Sequence, residues 1–506
     1  MLKLLFLMPL LLILAACGSS GRSRPDTEDV SINMPYPTMV VENITPDSEA
    51  YVGRYLLPDI PQFNNYTVSL EVDPETRTIQ GMSQITFTNR SDKPLEQIVM
   101  RAFLNAFQPG VYPRPYLENM ANRMELYGTG RGYMVFEYAS IDSETLQHSI
   151  DGTVLTLNLQ EPLEPWATVH ILLQYSAYAP KLGHSIGGND YAMWFGMFLP
   201  VLAVHDENGW HTDNFYPVGS PFFLETSSYH VSITTPIRYE VIGTGHSTEE
   251  LIEDDDVRIT RFSAYMTRDF SFAVLSPYYN RVSTQTASGV EINFYYHTNT
   301  AATRYHEILN LASFSMEYFE YRVGIYPAAQ INIVETSLIQ GNKAFSQTVF
   351  LDTNYIRHSR LTGLSNSLAR QWFSSTVGTN RVRQPWLDTG LTRFIQAGIV
   401  YDTPEKLHEH IESEREIIDG FEGLSLTDGL WAYTDREEYI NAQGRLASIM
   451  LYELQQLMGE ELFWQFISRY YQMFSFQIAT VDDFISTAEA VYGRTLRPFF
   501  EQWGLS

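Results

Sequence analysis

The sequence predicts a globular protein in two parts, an antiparallel β region followed by an α+β region that becomes mostly helical. In residues 49–280 apolar and polar side chains alternate, which is typical of half-buried strands. In residues 281–506 the apolar side chains recur mainly at helical spacing. The chain has 506 residues, of which 44% are apolar, so it is long enough for more than one packed domain.

The first 17 residues are typical of an export signal. Lys3 is followed by an apolar run that is too short to span a membrane, and the run ends at Leu14-Ala15-Ala16-Cys17. This ending resembles the lipobox of bacterial lipoproteins, whose cysteine becomes lipidated. Cys17 is the only cysteine, so no disulfide is possible. We expect a lipid anchor in the cell membrane or envelope, facing outside the cytoplasm; the alternative is an ordinary cleaved signal with a chance cysteine.

Residues 18–48 are rich in Ser, Pro, Asp and Thr and lack apolar periodicity, which predicts a flexible tether between anchor and body. The formal net charge of the chain is −26. Nucleic acid is therefore excluded as a partner, because binding to phosphates needs clustered Lys and Arg.

Strands are predicted where alternation is clearest, around residues 66–73 and 229–234, and Asp151-Gly152 predicts a hairpin turn before Leu155. In the second part, residues 290–296 and 331–334 are predicted strands and residues 304–321 a helix. Further helices are indicated by three patterns: Leu361, Leu364, Leu368 and Trp372 on one face; Leu446, Met450, Leu454 and Leu457 before Gly459; and a capping box at Thr480 and Asp483.

Two segments of the second part carry a motif. The first is Asn366-Ser367-Leu368-Ala369-Arg370-Gln371-Trp372-Phe373, and the second is Pro385-Trp386-Leu387-Asp388-Thr389-Gly390-Leu391. They resemble His-Glu-x-x-His-Gln-Trp-Phe and Trp-Leu-x-Glu-Gly-Leu of the aminopeptidase N family of zinc metallopeptidases, the gluzincins. The resemblance extends over about residues 50–506. It implies an N-terminal β-sandwich or saddle domain and a thermolysin-like, mostly helical peptidase domain.

The same resemblance implies that the zinc-ligand positions have been replaced. The two family histidines align with Asn366 and Arg370, the ligand glutamate with Thr389, and the general-base glutamate with Ser367. Amide and hydroxyl oxygens are weak ligands, and a guanidinium has no acceptor. A guanidinium held about 4 Å from Zn²⁺ would be repelled by about 8 kcal/mol at an effective dielectric constant near 20. We therefore expect no cofactor and no catalytic residue at this site.

Two further family positions are also changed. The motif whose glutamate binds the substrate's amino group aligns with Ala344, and the adjacent Lys343 would repel an ammonium group. The transition-state tyrosine aligns with Asn441, although Tyr439 lies two residues away and is an alternative. In the family an extended peptide lies near the first of these motifs, so Gln340, Gly341 and Asn342 are the expected peptide-binding positions.

These expectations favour a catalytically inactive homologue, a pseudoenzyme that binds a peptide or protein at the cell envelope. Two alternatives stay open. The first is an active zinc aminopeptidase whose ligands are not aligned, and the second is a purely structural envelope protein whose cleft does nothing. Other candidate metal sites, His306-Glu307 and His408-Glu409-His410, are better explained as solvated helix faces. The aromatic residues Trp194, Phe195, Trp210 and Tyr216 line either a groove or the core.

Overall fold

The computed structural model describes residues 63–108, 132–181, 184–252, 256–338, 341–358 and 362–505. The chain divides into a short unit, Met1–Val40, and a large one, Val41–Ser506. The short unit lies outside the described residues, as do the predicted signal, Cys17 and the tether. Everything below concerns the large unit.

Strands fill the first part of this unit. They are β1 Asn64–Asp73, β2 Thr78–Thr88, β3 Leu95–Arg101, β4 Tyr133–Ile141, β5 Glu144–Thr145, β6 His148–Asp151, β7 Val154–Leu163, β8 Thr168–Tyr178, β9 Ile186–Gly188, β10 Ala192–Phe195, β11 Val201–Leu202, β12 His205–Asp206, β13 Gly209–Trp210, β14 Ser227–Pro236, β15 Glu240–Gly243, β16 His246–Ile252, β17 Val257–Thr267 and β18 Phe272–Leu275. The largest sheet has the order β16-β17-β14-β1-β2-β8-β4-β5, and two four-stranded sheets have the orders β15-β18-β10-β9 and β11-β3-β7-β6.

This β region confirms the predicted fold class, and the predicted strands at residues 66–73 and 229–234 are β1 and β14. One pairing differs from the antiparallel prediction, because β1 and β14 run parallel. Alternation of side chains fixes which residues face the core but not the direction of the neighbouring strand. The hairpin at Asp151-Gly152 joins β6 and β7, and Gly152 has the positive φ of 55° that the turn requires.

A mixed five-stranded sheet opens the second part, with the order β19-β20-β21-β23-β22. Its strands are β19 Tyr279–Gln285, β20 Glu291–His297, β21 Gln330–Thr336, β22 Lys343–Phe345 and β23 Thr348–Asp352. The predicted strands at residues 290–296 and 331–334 are therefore confirmed. The short strand β22 lies at the edge of this sheet, where it borders the cavity described below.

Helices make up most of the remaining chain. The α-helices are Ala302–Arg322, Thr353–Arg357, Thr362–Arg370, Trp386–Val400, Pro404–Ile418, Arg436–Tyr439, Ala447–Met458, Glu460–Phe474, Val481–Tyr492 and Arg497–Gln502. Short 3₁₀-helices occur at Phe103–Phe107 and Leu430–Ala432. The capping box at Thr480 and Asp483 is present, and the Ala447–Met458 helix ends at Gly459, as predicted. Among the described residues, none of the helices is both long and apolar enough to cross a membrane.

Two π-helical segments, Gln371–Thr376 and Ile440–Leu446, interrupt the α-helical pattern. In the first, the Thr376 hydroxyl donates to the Gln371 carbonyl over 2.7 Å, which holds the wider turn. Such π segments are often found at functional sites. Here each one directly follows a residue that lines the cavity, Arg370 and Tyr439 respectively.

Apolar side chains form a cluster in the β region and a second one in the helical region. Trp194 and Phe195 are fully buried in the first cluster, Trp210 packs against it, and Tyr216 packs against a small third cluster. Their arrangement is that of core packing. The domain boundary expected at residue 280 stays a prediction.

A buried cation connects strand and helix segments. Arg268 is 2% exposed and donates to the carbonyl of Leu224 over 2.8 Å and to those of Thr376 and Gln477 over 3.0 Å each. Burial lowers the pKa of Arg268 to about 10, which still leaves it charged at neutral pH. The guanidinium thus satisfies three carbonyl groups, two of them in fully buried hydrogen bonds.

Replacing Arg268 by Met is expected to lower the free energy of unfolding by about 2–5 kcal/mol, because buried carbonyls lose their donors. Urea denaturation measures the change. The control is Arg238→Met, which removes an exposed ion pair with Glu75 and is expected to change the stability by less than about 1 kcal/mol. Equal losses in the two variants would contradict the role assigned to Arg268.

Candidate functional site

A cavity of about 260 Å³ lies between the Thr362–Arg370 and Trp386–Val400 helices, the edge strand β22 and the loop at Gly219. Its walls are formed by Gly219, Ser220, Phe222, Asn342, Lys343, Ala344, Phe345, Tyr355, Thr362, Gly363, Asn366, Ser367, Arg370, Thr389, Arg393, Gln396, Arg436, Tyr439 and Ile440. The structure therefore brings Asn366, Ser367, Arg370 and Thr389 together around one space.

The Thr362–Arg370 helix presents this set because its two faces differ in polarity. Leu364 and Leu368 are fully buried in the helical core, so the opposite face, with Asn366 and Arg370 one turn apart, borders the cavity. The Ser367 hydroxyl donates to the Gly363 carbonyl over 2.9 Å. The hydroxyl proton of Ser367 is therefore already used in a hydrogen bond to the helix backbone.

The Arg370 guanidinium is held by a buried carboxylate. Its Nη1 atom lies 2.5 Å from Oδ2 of Asp388, whose side chain is 1% exposed. The other carboxylate oxygen, Oδ1, accepts a hydrogen bond from Ser374 over 2.9 Å. Arg381 in turn donates to the Ser374 hydroxyl over 3.1 Å. This network fixes Arg370 between the two helices that carry the motif segments.

Thr389 contacts a tyrosine that the alignment did not place at the site. Its Oγ1 atom lies 2.5 Å from the Tyr439 hydroxyl. Burial raises the pKa of Tyr439, while Arg370 acts in the opposite direction. A Cβ atom at Gly219 would lie 2.5 Å from this hydroxyl, so glycine is needed there for the ring to fit.

Asn441 does not line the cavity. It is fully buried, and its Oδ1 atom accepts from Nη1 of Arg445 over 2.5 Å. The tyrosine that reaches the site is Tyr439, directly before the π segment. Aligning the family's tyrosine by residue spacing alone does not reveal which side chain reaches the cavity. A π turn changes which side chains share a face.

Lys343 is the second cation in the cavity. Its Nζ atom lies 2.7 Å from Nε2 of the buried His184. Burial, followed by the charges of Arg436 and Arg370, lowers the pKa of Lys343 to about 7. Burial, followed by the charge of Lys343, lowers the pKa of His184 well below its ordinary value. The imidazole is therefore neutral and accepts from the lysine.

Arg393 is the third cation that lines the cavity. It donates from Nη2 to Oε1 of Glu414 over 2.6 Å and from Nε to Oε2 over 3.3 Å. Burial of Glu414 would raise the pKa of its carboxyl, but Arg393 and Arg445 outweigh it and keep the pKa below the ordinary value. This charge is therefore neutralised inside the protein.

The expected peptide-binding positions lie at the start of β22. Gly341 has a φ of 80°, and Asn342 lines the cavity; Gln340 lies outside the described residues. The Asn342 Oδ1 atom accepts from the Asp352 backbone over 2.9 Å, whereas its Nδ2 atom is buried with no partner. The amide thus retains a free donor beside the cavity.

No protein-family model matches the sequence, and no curated protein matches it. Solved structures do match. An M1 zinc metallopeptidase from Deinococcus radiodurans superposes with a TM-score of 0.64 at 14% identity, over 88% of this chain and 93% of that one. A point mutant of that enzyme bound to a Tyr-Ser-Ala substrate gives the same TM-score at 15% identity, over 88% and 94%. The chain has the M1 metallopeptidase fold.

At this identity the match establishes the fold alone, and fold does not determine activity. An M1 fold implies zinc, and a catalytic zinc ion requires three nitrogen, sulfur or carboxylate ligands and an open position. Asn366, Arg370 and Thr389 supply none of these. The nearby carboxylate, Asp388, is already engaged by Arg370 and Ser374. Within the described ranges no group of three His, Cys, Asp or Glu residues can hold a metal ion. The residues present do not fit zinc.

Replacing Arg370 by Met is expected to lower the free energy of unfolding by about 3–5 kcal/mol, because Asp388 keeps a buried charge without a partner. The double variant Arg370→Met/Asp388→Asn removes that charge as well and is expected to recover part of the loss. Urea denaturation of all three proteins measures this. Asn366→Ala, at the same cavity wall, is the control and should cost less than about 1 kcal/mol. A double variant no more stable than Arg370→Met would refute the pairing.

Lys343 is expected to make stability depend on pH. Its pKa is lower in the folded than in the unfolded chain, so the folded chain binds fewer protons between about pH 7 and pH 10 and becomes more stable as the pH rises. Relative to Lys343→Met, the free energy of unfolding should rise with pH in this window, by less than about 1.4 kcal/mol per pH unit, the limit for one proton. The exposed Lys181, changed to Met, is the control. Parallel pH profiles for the wild type and Lys343→Met would contradict this prediction.

Proposed function

We propose that this protein is a binding or accessory module that uses the M1 fold without zinc and without peptide hydrolysis. The observation that carries the proposal is the ion pair between Arg370 and Asp388. It places a paired cation where the resemblance puts a zinc-binding histidine. A metal ion at this position would have to displace the guanidinium from a carboxylate that has no exposure to water, which makes binding unfavourable.

The groups that would act on a substrate are replaced in the same way. Ser367, at the general-base position, has no basic group near neutral pH, and its hydroxyl donates a hydrogen bond to the Gly363 carbonyl. Ala344 stands at the position that binds a substrate's amino group, next to the cationic Lys343. Tyr439 does reach the cavity, but a phenol alone neither generates a nucleophile nor binds a metal-activated water. Hydrolysis therefore lacks both its nucleophile and its base.

Ligand binding is supported by the open cavity beside the edge strand β22. An edge strand can pair with an extended peptide, and Gly341 and Asn342 precede this strand. The walls also retain polar side chains that do not fill the space. We propose a peptide or protein ligand, and we propose that lipid on Cys17 holds the protein at the cell envelope.

Metal analysis and peptidase assays test this proposal. The purified wild type is expected to carry far less than one zinc ion per chain and to hydrolyse aminoacyl substrates no faster than buffer. The positive control is the quintuple variant Asn366→His/Ser367→Glu/Arg370→His/Asp388→Asn/Thr389→Glu, which restores the family's donor set on the same helices and removes the carboxylate that Arg370 neutralises. We expect it to bind zinc, because the M1 fold retains the spacing of those positions.

One equivalent of zinc in the wild type, together with turnover that a chelator abolishes, would overturn the proposal in favour of an active aminopeptidase. The alternative of a purely structural envelope protein predicts a different result. It predicts that changes in the cavity alter no binding at all, whereas the proposal requires a ligand whose affinity depends on cavity residues.

A further inference from the structure

The residues that line the cavity are basic, although the chain as a whole is acidic. Acidic residues outnumber basic ones by 59 to 33 in the sequence. Among the described residues that line the cavity, none is Asp or Glu, whereas four are cations: Lys343, Arg370, Arg393 and Arg436. An acidic protein that excludes every carboxylate from one cavity wall has a local positive potential there.

Two of these cations are already neutralised. Arg370 pairs with Asp388, and Arg393 pairs with Glu414, and both carboxylates are buried behind the cavity wall. Their charges are therefore compensated within the protein and contribute little net charge to the cavity.

The other two cations have no carboxylate partner in the described part of the chain. Lys343 contacts the neutral His184, and Arg436 forms no ion pair. Two acidic residues near Arg436 in sequence are engaged elsewhere: Asp435 accepts from two backbone amides of its own helix, and Glu438 accepts from Thr434. Glu437, which directly follows Arg436, does not line the cavity. Burial and then Arg436 and Arg370 lower the pKa of Lys343 to about 7, so the ammonium is partly protonated at neutral pH, and a bound anion would favour its charged form.

Neutral donors point to the same kind of ligand. The buried Nδ2 atom of Asn342 has no hydrogen-bond partner. The phenols of Tyr355 and Tyr439 also line the space. A cluster of N–H and O–H donors with two uncompensated cations matches the oxygens of a carboxylate or phosphate group.

We propose that this cavity binds a dianionic ligand through carboxylate or phosphate oxygens, with Lys343 and Arg436 providing the charge and Asn342 a hydrogen bond. The inference rests on the proposed function, because it assigns the ligand class of the same zinc-free cavity. The charge of the cavity is opposite to that of an aminopeptidase site, which must bind an ammonium group and a metal cation. A cationic or N-terminal amine ligand is repelled here.

Isothermal titration calorimetry at low salt tests the proposal with matched probes. The anions are succinate, inorganic phosphate and an acetylated Glu-Glu dipeptide amide. The neutral counterparts are succinamide and the corresponding Gln-Gln dipeptide. We expect saturable binding of at least one anion, with an affinity at least tenfold above that of any neutral counterpart, and weaker binding as salt is added. Comparing the affinity for phosphate with that for the two carboxylate probes shows whether the site prefers phosphate or carboxylate oxygens.

Variants locate the site. Arg436→Met and Lys343→Met are each expected to weaken anion binding at least fivefold. Arg436 is exposed, so its replacement does not disturb the core even if that of Lys343 does. The control is Arg494→Met, an exposed arginine that does not line the cavity and removes the same charge from the chain.

The proposal is overturned if no anion binds, if the neutral probes bind as tightly as the anions, or if Arg494→Met weakens binding as much as Arg436→Met. Tight binding of the Gln-Gln dipeptide without zinc would overturn this inference and leave the proposed function standing. Zinc-dependent turnover in the peptidase assay would instead overturn the proposed function.

Discussion

The ion pair between Arg370 and Asp388 joins the two helices that carry the motif segments, and the rest of the site is organised around it. Its carboxylate is almost fully buried and also accepts from Ser374, which Arg381 contacts in turn. A buried pair of this kind adds little net stability, because the desolvation of both charges offsets their attraction. Its consequence is geometric: neither charge can be removed alone or turned toward a metal without leaving the other unpaired.

The cavity wall carries positive charge where a zinc site would carry metal ligands. In a zinc site the protein supplies neutral imidazoles and carboxylates to a dication. Here the uncompensated positive charge is part of the protein itself, at Lys343 and Arg436, because Arg370 is paired with Asp388. Carboxylates remain nearby, but they lie behind the wall as partners of Arg370 and Arg393, where they hold the arginines in place. The same fold thus presents donors to a ligand where the resemblance implies acceptors for a metal.

The π segments contribute to the same site in a different way. The first begins directly after Arg370 and the second directly after Tyr439. Each widens the helix by one residue, so side chains beyond it face a different direction from those of a regular α-helix. Tyr439, directly before the second segment, reaches Thr389, whereas Asn441, inside it, is turned into the interior against Arg445.

Local pattern by itself determined the class of fold and much of its detail, because side-chain periodicity and capping residues act over a few positions. The alternation in β1, the turn at Gly152 and the capping box at Thr480 are of this kind. The motif spacing also placed Asn366 and Arg370 on one face, since residues four apart on a helix share a face. The position of Thr389 beside them, on the next helix, was implied by the resemblance. Strand direction was not determined, and β1 and β14 proved to be parallel. Tertiary structure alone decided that Asp388 neutralises Arg370, that Lys343 meets His184 and that Tyr439 replaces Asn441 at the cavity. These contacts join residues from different elements, and whether a charge is paired or free depends on which side chains folding brings within reach.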